Sequence, residues 1–247
     1  MRKLKNLLCM ILLVMAIKSQ GNIILNDGQY HILDYYERIP INVDSSYGDT
    51  LGTCLEIVQG GKCGLGVGVG NTGKVILNGG FLTGLGAHQD SLVTILSGTV
   101  NYYGGSDNSH LEMSGGIIVD GMRLVTNSTA TISGGTLGGD FDIRDFSILT
   151  LVGSDFTING VSVSLYEDIK NYATYEFIND GIYGYTGTIT GTLTDGSSLN
   201  NYFEIWDNGG VSNANIFLIP EPCSVLLLGF GVVGVLRRRR VGENYGL

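Results

Sequence analysis

Ser109-His110-Leu111-Glu112-Met113-Ser114-Gly115-Gly116-Ile117-Ile118 is the stretch on which the fold turns. Leu111 and Met113 alternate with polar neighbours, the period-two pattern of a strand with one face turned inward. A glycine pair follows, able to reach backbone angles that other residues resist, and a further apolar residue, Ile118, stands five places after Met113. The same arrangement recurs on both sides. Centred on Ile57, Leu77, Ile95, Met113, Ile132 and Leu151, the spacings are 20, 18, 18, 19 and 19 residues. A mostly apolar position precedes each centre by two: Leu55, Val75, Val93, Leu111, Ala130 and Leu149. Five places after the last five centres stand Leu82, Val100, Ile118, Leu137 and Phe156. Small pairs lie between, from Gly79-Gly80 to Gly153-Ser154, and Ser91, Ser109, Ser128 and Ser147 each stand four places before a centre, with Thr72 one place out of step.

A repeat near 19 residues made of short strands and glycine turns is the signature of a solenoid. The expectation is an all-β chain, a single-stranded β-solenoid of the right-handed β-helix type over residues 54–160. Each coil stacks on the next at about 4.8 Å, so equivalent residues form columns. The centres make a core column, and the serines sit at a turn where hydroxyls bond neighbouring backbone. Arg123 lies ten places after Met113 and Asp142 ten after Ile132, so they should stack as an ion pair. Solenoid ends need covering. Residues 22–53 are the expected N-terminal cap and 161–218 a β-rich C-terminal cap. In the latter, Tyr183 to Thr194 and Tyr202 to Trp206 read as strands, and Asp195-Gly196 as a hairpin turn.

The two ends of the chain are of another kind. Arg2, Lys3 and Lys5 precede an apolar run from Leu7 to Ile17, and Ser19-Gln20-Gly21 supplies small residues for cleavage. Residues 1–21 therefore read as a secretory signal peptide, exported through the Sec machinery. At the other end Pro220-Glu221-Pro222 is followed by the uncharged run Cys223 to Leu236 and by Arg237, Arg238, Arg239 and Arg240. The run has 14 residues, about 21 Å as a helix against about 30 Å of hydrocarbon. The arginines hold that end on the cytoplasmic side and place everything upstream across the membrane.

This tail, residues 219–247, resembles the PEP-CTERM protein-sorting signal of Gram-negative bacteria, which has a Pro-Glu-Pro motif, a short hydrophobic helix (223–236) and a basic cluster (237–240) in that order. Cys223 stands where a small or hydroxyl residue is more usual, and seven residues follow the arginines. The resemblance implies recognition of Pro220, Glu221 and Pro222 by an exosortase-type membrane transpeptidase, brief anchoring by the tail, and delivery to the cell surface or extracellular matrix. The stretch Gly187 to Gly196 is similar to the end region of other repeat-bearing PEP-CTERM proteins. The repeats themselves resemble pectate-lyase-like β-helices.

Between the two signals stand 21 acidic and 6 basic residues, a net charge of −15. Nucleic-acid binding needs clustered cations and is excluded as a function class. Two cysteines, Cys54 and Cys63, fall in this part. An oxidising compartment permits a disulfide between them, and two free thiols are the alternative. No Cys or nearby His completes a tetrahedral metal set, and no cofactor is expected. The best catalytic candidates are Asp140, Asp142, Arg144 and Asp145 on one coil, with Asp120 one place off register. Alternating charge around Phe141 and Ile143 is also what a solvated outer face looks like. His31, His88 and His110 are scattered, with no nucleophile at a recognisable spacing. Gly60 to Gly73 is glycine-rich, but it has no Lys-Ser/Thr pair for a phosphate loop and no regular Asp for a calcium repeat. The expected function is a non-enzymatic structural or adhesive protein, partnered by exopolysaccharide or other envelope components. The alternative is a lyase or hydrolase acting on polysaccharide.

Overall fold

The computed structural model describes residues 22–44, 52–179, 181–207 and 213–221. Residues 1–21, where a signal peptide is expected, and the tail from 222 onward, with Pro222 and the four arginines, lie outside the described residues. The described chain is a β-solenoid of about six turns with coils near 19 residues.

Each central coil is one bent strand followed by one short strand. The bent strands are β8 (Lys74–Leu82), β10 (Leu92–Val100), β12 (His110–Ile118) and β14 (Thr129–Leu137). The short ones are β9 (Leu85–Ala87), β11 (Tyr103–Gly105), β13 (Gly121–Leu124) and β15 (Asp140–Ile143). All stack in parallel. The bend falls at the glycine pair. In β12, Gly116 has φ 81°, and a Cβ on Gly115 would meet Leu96 O at 2.3 Å, so the pair is required both by angle and by the coil below. Between coils the chain turns at polar residues with positive φ, such as Asn108 (68°), Asn127 (64°) and Asp145 (57°). Asn and Asp tolerate this region better than other side chains, which is why the turns are rich in them.

The core column is as the spacing predicts. Ile57, Leu77, Ile95, Met113, Ile132 and Leu151 are successive Cα partners, and each is at most 1 % exposed. A fully buried side chain of this size contributes about 1.5–3 kcal/mol. The column also runs further than the repeat. It begins at Leu33 and ends at Leu218. The serines are buried, and Ser128 Oγ donates to Gly105 O (3.1 Å) and lies 3.2 Å from Ser147 Oγ. Thr72 does not continue that row. Gly73 stands there, followed by Thr53, whose hydroxyl and amide both donate to buried Asp44 (2.8 Å each).

Both expected caps are corrected in part. Much of 22–53 is solenoid. β2 (Tyr30–Leu33), β3 (Tyr36–Glu37) and β4 (Ile41–Val43) form a coil beneath β5 (Cys54–Val58), β6 (Lys62–Cys63) and β7 (Val67–Val69), and β1 (Ile23–Leu25) pairs with β4. At the other end β16 (Ile148–Ile158) breaks register around Asp155 (φ 57°) and keeps Phe156 buried. It runs on and pairs antiparallel with β19 (Ile182–Leu193), whose Thr192 O would lie 2.0 Å from a Cβ on Gly153. β18 (Thr174–Asn179), β19 and β20 (Ser198–Asp207) make antiparallel hairpins, with Asp195-Gly196 at the β19–β20 turn. The Asp195 carboxylate accepts from Gly135 N (2.7 Å) and Ser197 N (2.9 Å), clamping this turn onto the last full coil.

The end then rejoins the solenoid. β20 stacks in parallel on β15, and β21 (Asn215–Ile219) stacks in parallel on β16. The region is thus a hairpin excursion, β18 and β19, followed by two further solenoid strands. Among the described residues no helix is long and apolar enough to cross a membrane.

Candidate functional site

One outward column carries the chemistry. The short strands place Asn42, Gly68, Gly86, Gly104, Arg123, Asp142 and Glu204 as successive Cα partners. Their neighbours in each strand, such as Leu124 and Ile143, are buried, so the column faces solvent by the strand period. Three glycines leave its first half bare, and the second half is charged.

The expected stacking of Arg123 on Asp142 is present, with Nε donating to Oδ2 at 2.7 Å. Arg144, just past the end of β15, approaches the same carboxylate. Its Nε and one terminal nitrogen donate to the two oxygens of Asp142, at 2.6 Å each. This two-point geometry is the strong form of an Arg–carboxylate pair. The Arg144 guanidinium also lies over the Trp206 ring, 3.5 Å from its centroid. That contact is a cation–π interaction, and it fixes the arginine from its other side. Glu204, from β20, stacks beside Asp142. Burial pushes the Glu204 carboxyl up, and the negative charge of Asp142 adds to the shift.

Of the candidates from sequence, Asp142 and Arg144 come together. Asp140 is exposed at the start of β15, and Asp145 lies past its end, accepting from Thr126 N at 3.3 Å. Asp120 sits in the bend before Gly121. Glu204 and Trp206 were missed, because they follow a long insertion and share no repeat spacing with β15.

The histidines remain apart. His31 bonds Asp27 (2.9 Å), His88 bonds Ser106 Oγ (2.7 Å) and His110 bonds Thr129 Oγ1 (2.7 Å). Stacking brings His88 to a serine, yet Ser106 Oγ donates onward to Asp107 (3.0 Å). The glycine-rich span Gly60 to Gly73 forms β6, β7 and their turns. Among the described residues no group of three or more His, Cys, Asp or Glu is placed to hold a metal ion.

Cys54 and Cys63 are free thiols in this structure, and the bond weighed from sequence is not formed. Cys54 is half-buried at the start of β5. Cys63 points into the core and donates to Gly66 O (3.0 Å) and Ile39 O (3.4 Å). Burial pushes both thiols up, which slows their reaction. Maleimide treatment of the folded exported protein, read peptide by peptide by mass spectrometry, should modify Cys54 slowly and Cys63 only after unfolding. A need for reductant before either reacts would restore the disulfide.

The sorting residues are reached through β21. Ile216 and Leu218 are fully buried against the last coil, and Asn215 N and Tyr166 N close the ladder around the strand. Ile219 ends β21, and Pro220 and Glu221 follow with no regular structure. A solenoid body whose last strand runs into such a tail is the class of protein these features define. The PEP-CTERM protein-sorting motif, as a family, matches residues 218–240, from the buried Leu218 to the last arginine. The chain therefore carries a PEP-CTERM sorting motif at its C-terminus. That motif implies processing by an exosortase and sorting of an exported protein to the cell surface. No curated protein and no solved structure matches the chain.

Proposed function

We propose that this protein is a structural or adhesive component of the cell surface or matrix, held among exopolysaccharide or other envelope polymers and acting without catalysis. One observation carries the reading. The terminal solenoid strand is also the start of the sorting motif, so what the exosortase delivers is the folded solenoid itself. Export begins with the signal peptide and the Sec machinery. The strongly acidic body favours solubility and weak cation binding in a matrix over any tight anionic partner.

The absence of catalysis is supported by the surroundings of Asp142. Both of its oxygens are taken up by donors from Arg123 and Arg144, which leaves it poorly placed to meet a glycan. The second reading, a polysaccharide hydrolase or lyase, has one observation in its favour. Glu204, its carboxyl pushed up by burial, stacks on Asp142, and a pair of neighbouring carboxylates is what glycoside chemistry uses. The exported protein, incubated with acidic and neutral polysaccharides, should co-sediment with its insoluble matrix polymer and release neither reducing nor unsaturated ends. Release of such ends, abolished by Asp142→Ala or Glu204→Gln, would replace the structural reading with the enzymatic one.

A further inference from the structure

We infer that the β18–β19 hairpin, with Tyr175, Phe177, Tyr183 and Tyr185 on one face and Asp207 at its border, binds a polysaccharide that carries free amino groups. This rests on the reading of the protein as one held among matrix polymers, and it names the class of polymer.

The sheet itself makes the site. On β20, Phe203 and Ile205 stack on Phe141 and Ile143 and face the core. β19 and β18 carry the same sheet onward, beyond the strands that stack on the coils. Tyr185 is the cross-strand partner of Ile205, and Tyr175 of Tyr185, so the core face of the sheet continues onto them. Phe177 and Tyr183 are a second cross-strand pair on that face. Tyr185 still packs against the edge of the core, but Tyr175, Phe177 and Tyr183 are 54, 56 and 50 % exposed. The rings touch one another. Tyr175 lies 5.0 Å from Tyr185 and 5.9 Å from Tyr183 between centroids, and Phe177 meets Tyr183 edge-on at 5.7 Å. A joined set of aromatic side chains left open to this degree is a contiguous apolar patch, the kind of surface that marks a binding site.

The ligand's chemistry follows from charge. An ammonium already sits at this face. Lys170, in the short 3-10 turn Ile169–Asn171, holds its Nζ 5.5 Å from the centroid of the Tyr185 ring, within cation–π range. Asp207 is the cross-strand partner of Tyr183 and borders the same face. Desolvation, and then the Asp207 carboxylate, push the Tyr175 hydroxyl up. A cation laid on the open rings therefore meets both a π face and a carboxylate. The net charge of −15 between the two terminal signals draws a polycation in and repels a uronic-acid polymer.

The rim decides between an amino sugar and a basic protein. Three of the four rings are tyrosines, so their hydroxyls stand around the apolar faces. A sugar ring lays its C–H face on an aromatic ring and turns its own hydroxyls to such a rim. A lysine side chain uses the rings and Asp207 but leaves the phenol hydroxyls idle. A polymer of amino sugars uses the faces, the carboxylate and the rim together.

The test titrates the exported protein with a glucosamine oligosaccharide, its N-acetylated form, a uronic-acid oligosaccharide and a lysine peptide, with binding read by calorimetry. The glucosamine form should bind the most tightly. N-acetylation, Tyr175→Ala with Tyr183→Ala, and Asp207→Asn should each weaken binding about tenfold. Tyr36→Ala removes a ring of like exposure from β3 and should bind as the parent does. Circular dichroism melts check the fold of each variant, and Asp207→Asn, which keeps the side chain's shape, decides alone if the double alanine variant does not fold. Equal binding of the N-acetylated form would mean that charge is not read. Tighter binding of the lysine peptide would make the partner a basic protein. Unchanged binding by the shelf variants would put the site elsewhere. Each of these results, like an absence of glucosamine binding, overturns the inference. Co-sedimentation with the matrix polymer alongside any of them leaves the structural reading standing, whereas release of reducing or unsaturated ends removes that reading whatever the shelf binds.

Discussion

Met113→Asp should leave the protein unfolded, while Glu112→Lys, one residue away, should melt as the parent does. Met113 is 1 % exposed and sits mid-column, between Ile95 below and Ile132 above. A carboxylate there has no cation to pair with, since the column holds only apolar side chains. Burying an unpaired charge costs more than about 4 kcal/mol, against a total stability of about 5–15 kcal/mol for a domain. Coils depend on their neighbours, so a break in the middle of the stack removes support from both halves. Glu112 points outward with its side chain 59 % exposed, and its one charged contact is to His110 at 3.6 Å. Its replacement falls in the surface class, within about 0.5 kcal/mol. Circular dichroism melts of the exported forms decide the matter. Equal effects at the two positions would mean that the strand period has been misread.

That column was legible because an inward strand face on a repeating coil is a strictly periodic object. Met113 finds Ile95 and Ile132 at nearly constant spacing, and Arg123 finds Asp142 by the same rule. Where the spacing breaks, the reading failed in a specific way. Leu33 belongs under Ile57, but 24 residues separate them, because the stretch between β4 and β5 is longer than in other coils. In that coil Tyr30 and Ile32 also put apolar side chains outward, which blurs the alternation. A cap was therefore expected where there is a coil.

The C-terminal side failed for the opposite reason. β20 and β21 take their places on the stack only after the hairpin excursion of β18 and β19, and nothing in a local period connects Ile205 with Ile143 or Leu218 with Leu151. Glu204 was invisible as a neighbour of Asp142 for the same cause. The cysteines show a further limit. Their nine-residue spacing allows a bond, but it does not say which side chain faces the core, and only the placement of Cys63 inward on β6 does so.

Replacement of Pro220, Glu221 and Pro222 by alanine should convert a sorted protein into a membrane-bound one. As a helix, the parent's apolar run of 14 residues would span about 21 Å, too short to sit well in about 30 Å of hydrocarbon. The two prolines keep any helix from starting before Cys223. With three alanines, the best helix formers, the helix is free to begin at residue 220. It cannot begin earlier, because β21 holds the chain in a strand as far as Ile219. The run from 220 to 236 is 17 residues, about 26 Å, at the lower end of what spans a bilayer. Four arginines then hold its cytoplasmic end. The variant loses the Pro-Glu-Pro residues of the sorting motif and gains a better anchor, and both changes act in the same direction. Blots of membrane, surface and extracellular fractions should show the parent shortened and outside, and the variant larger and confined to the membrane. Two species of one mass in one location would mean that the tail is an ordinary anchor and that the Pro-Glu-Pro residues of this chain are not being read.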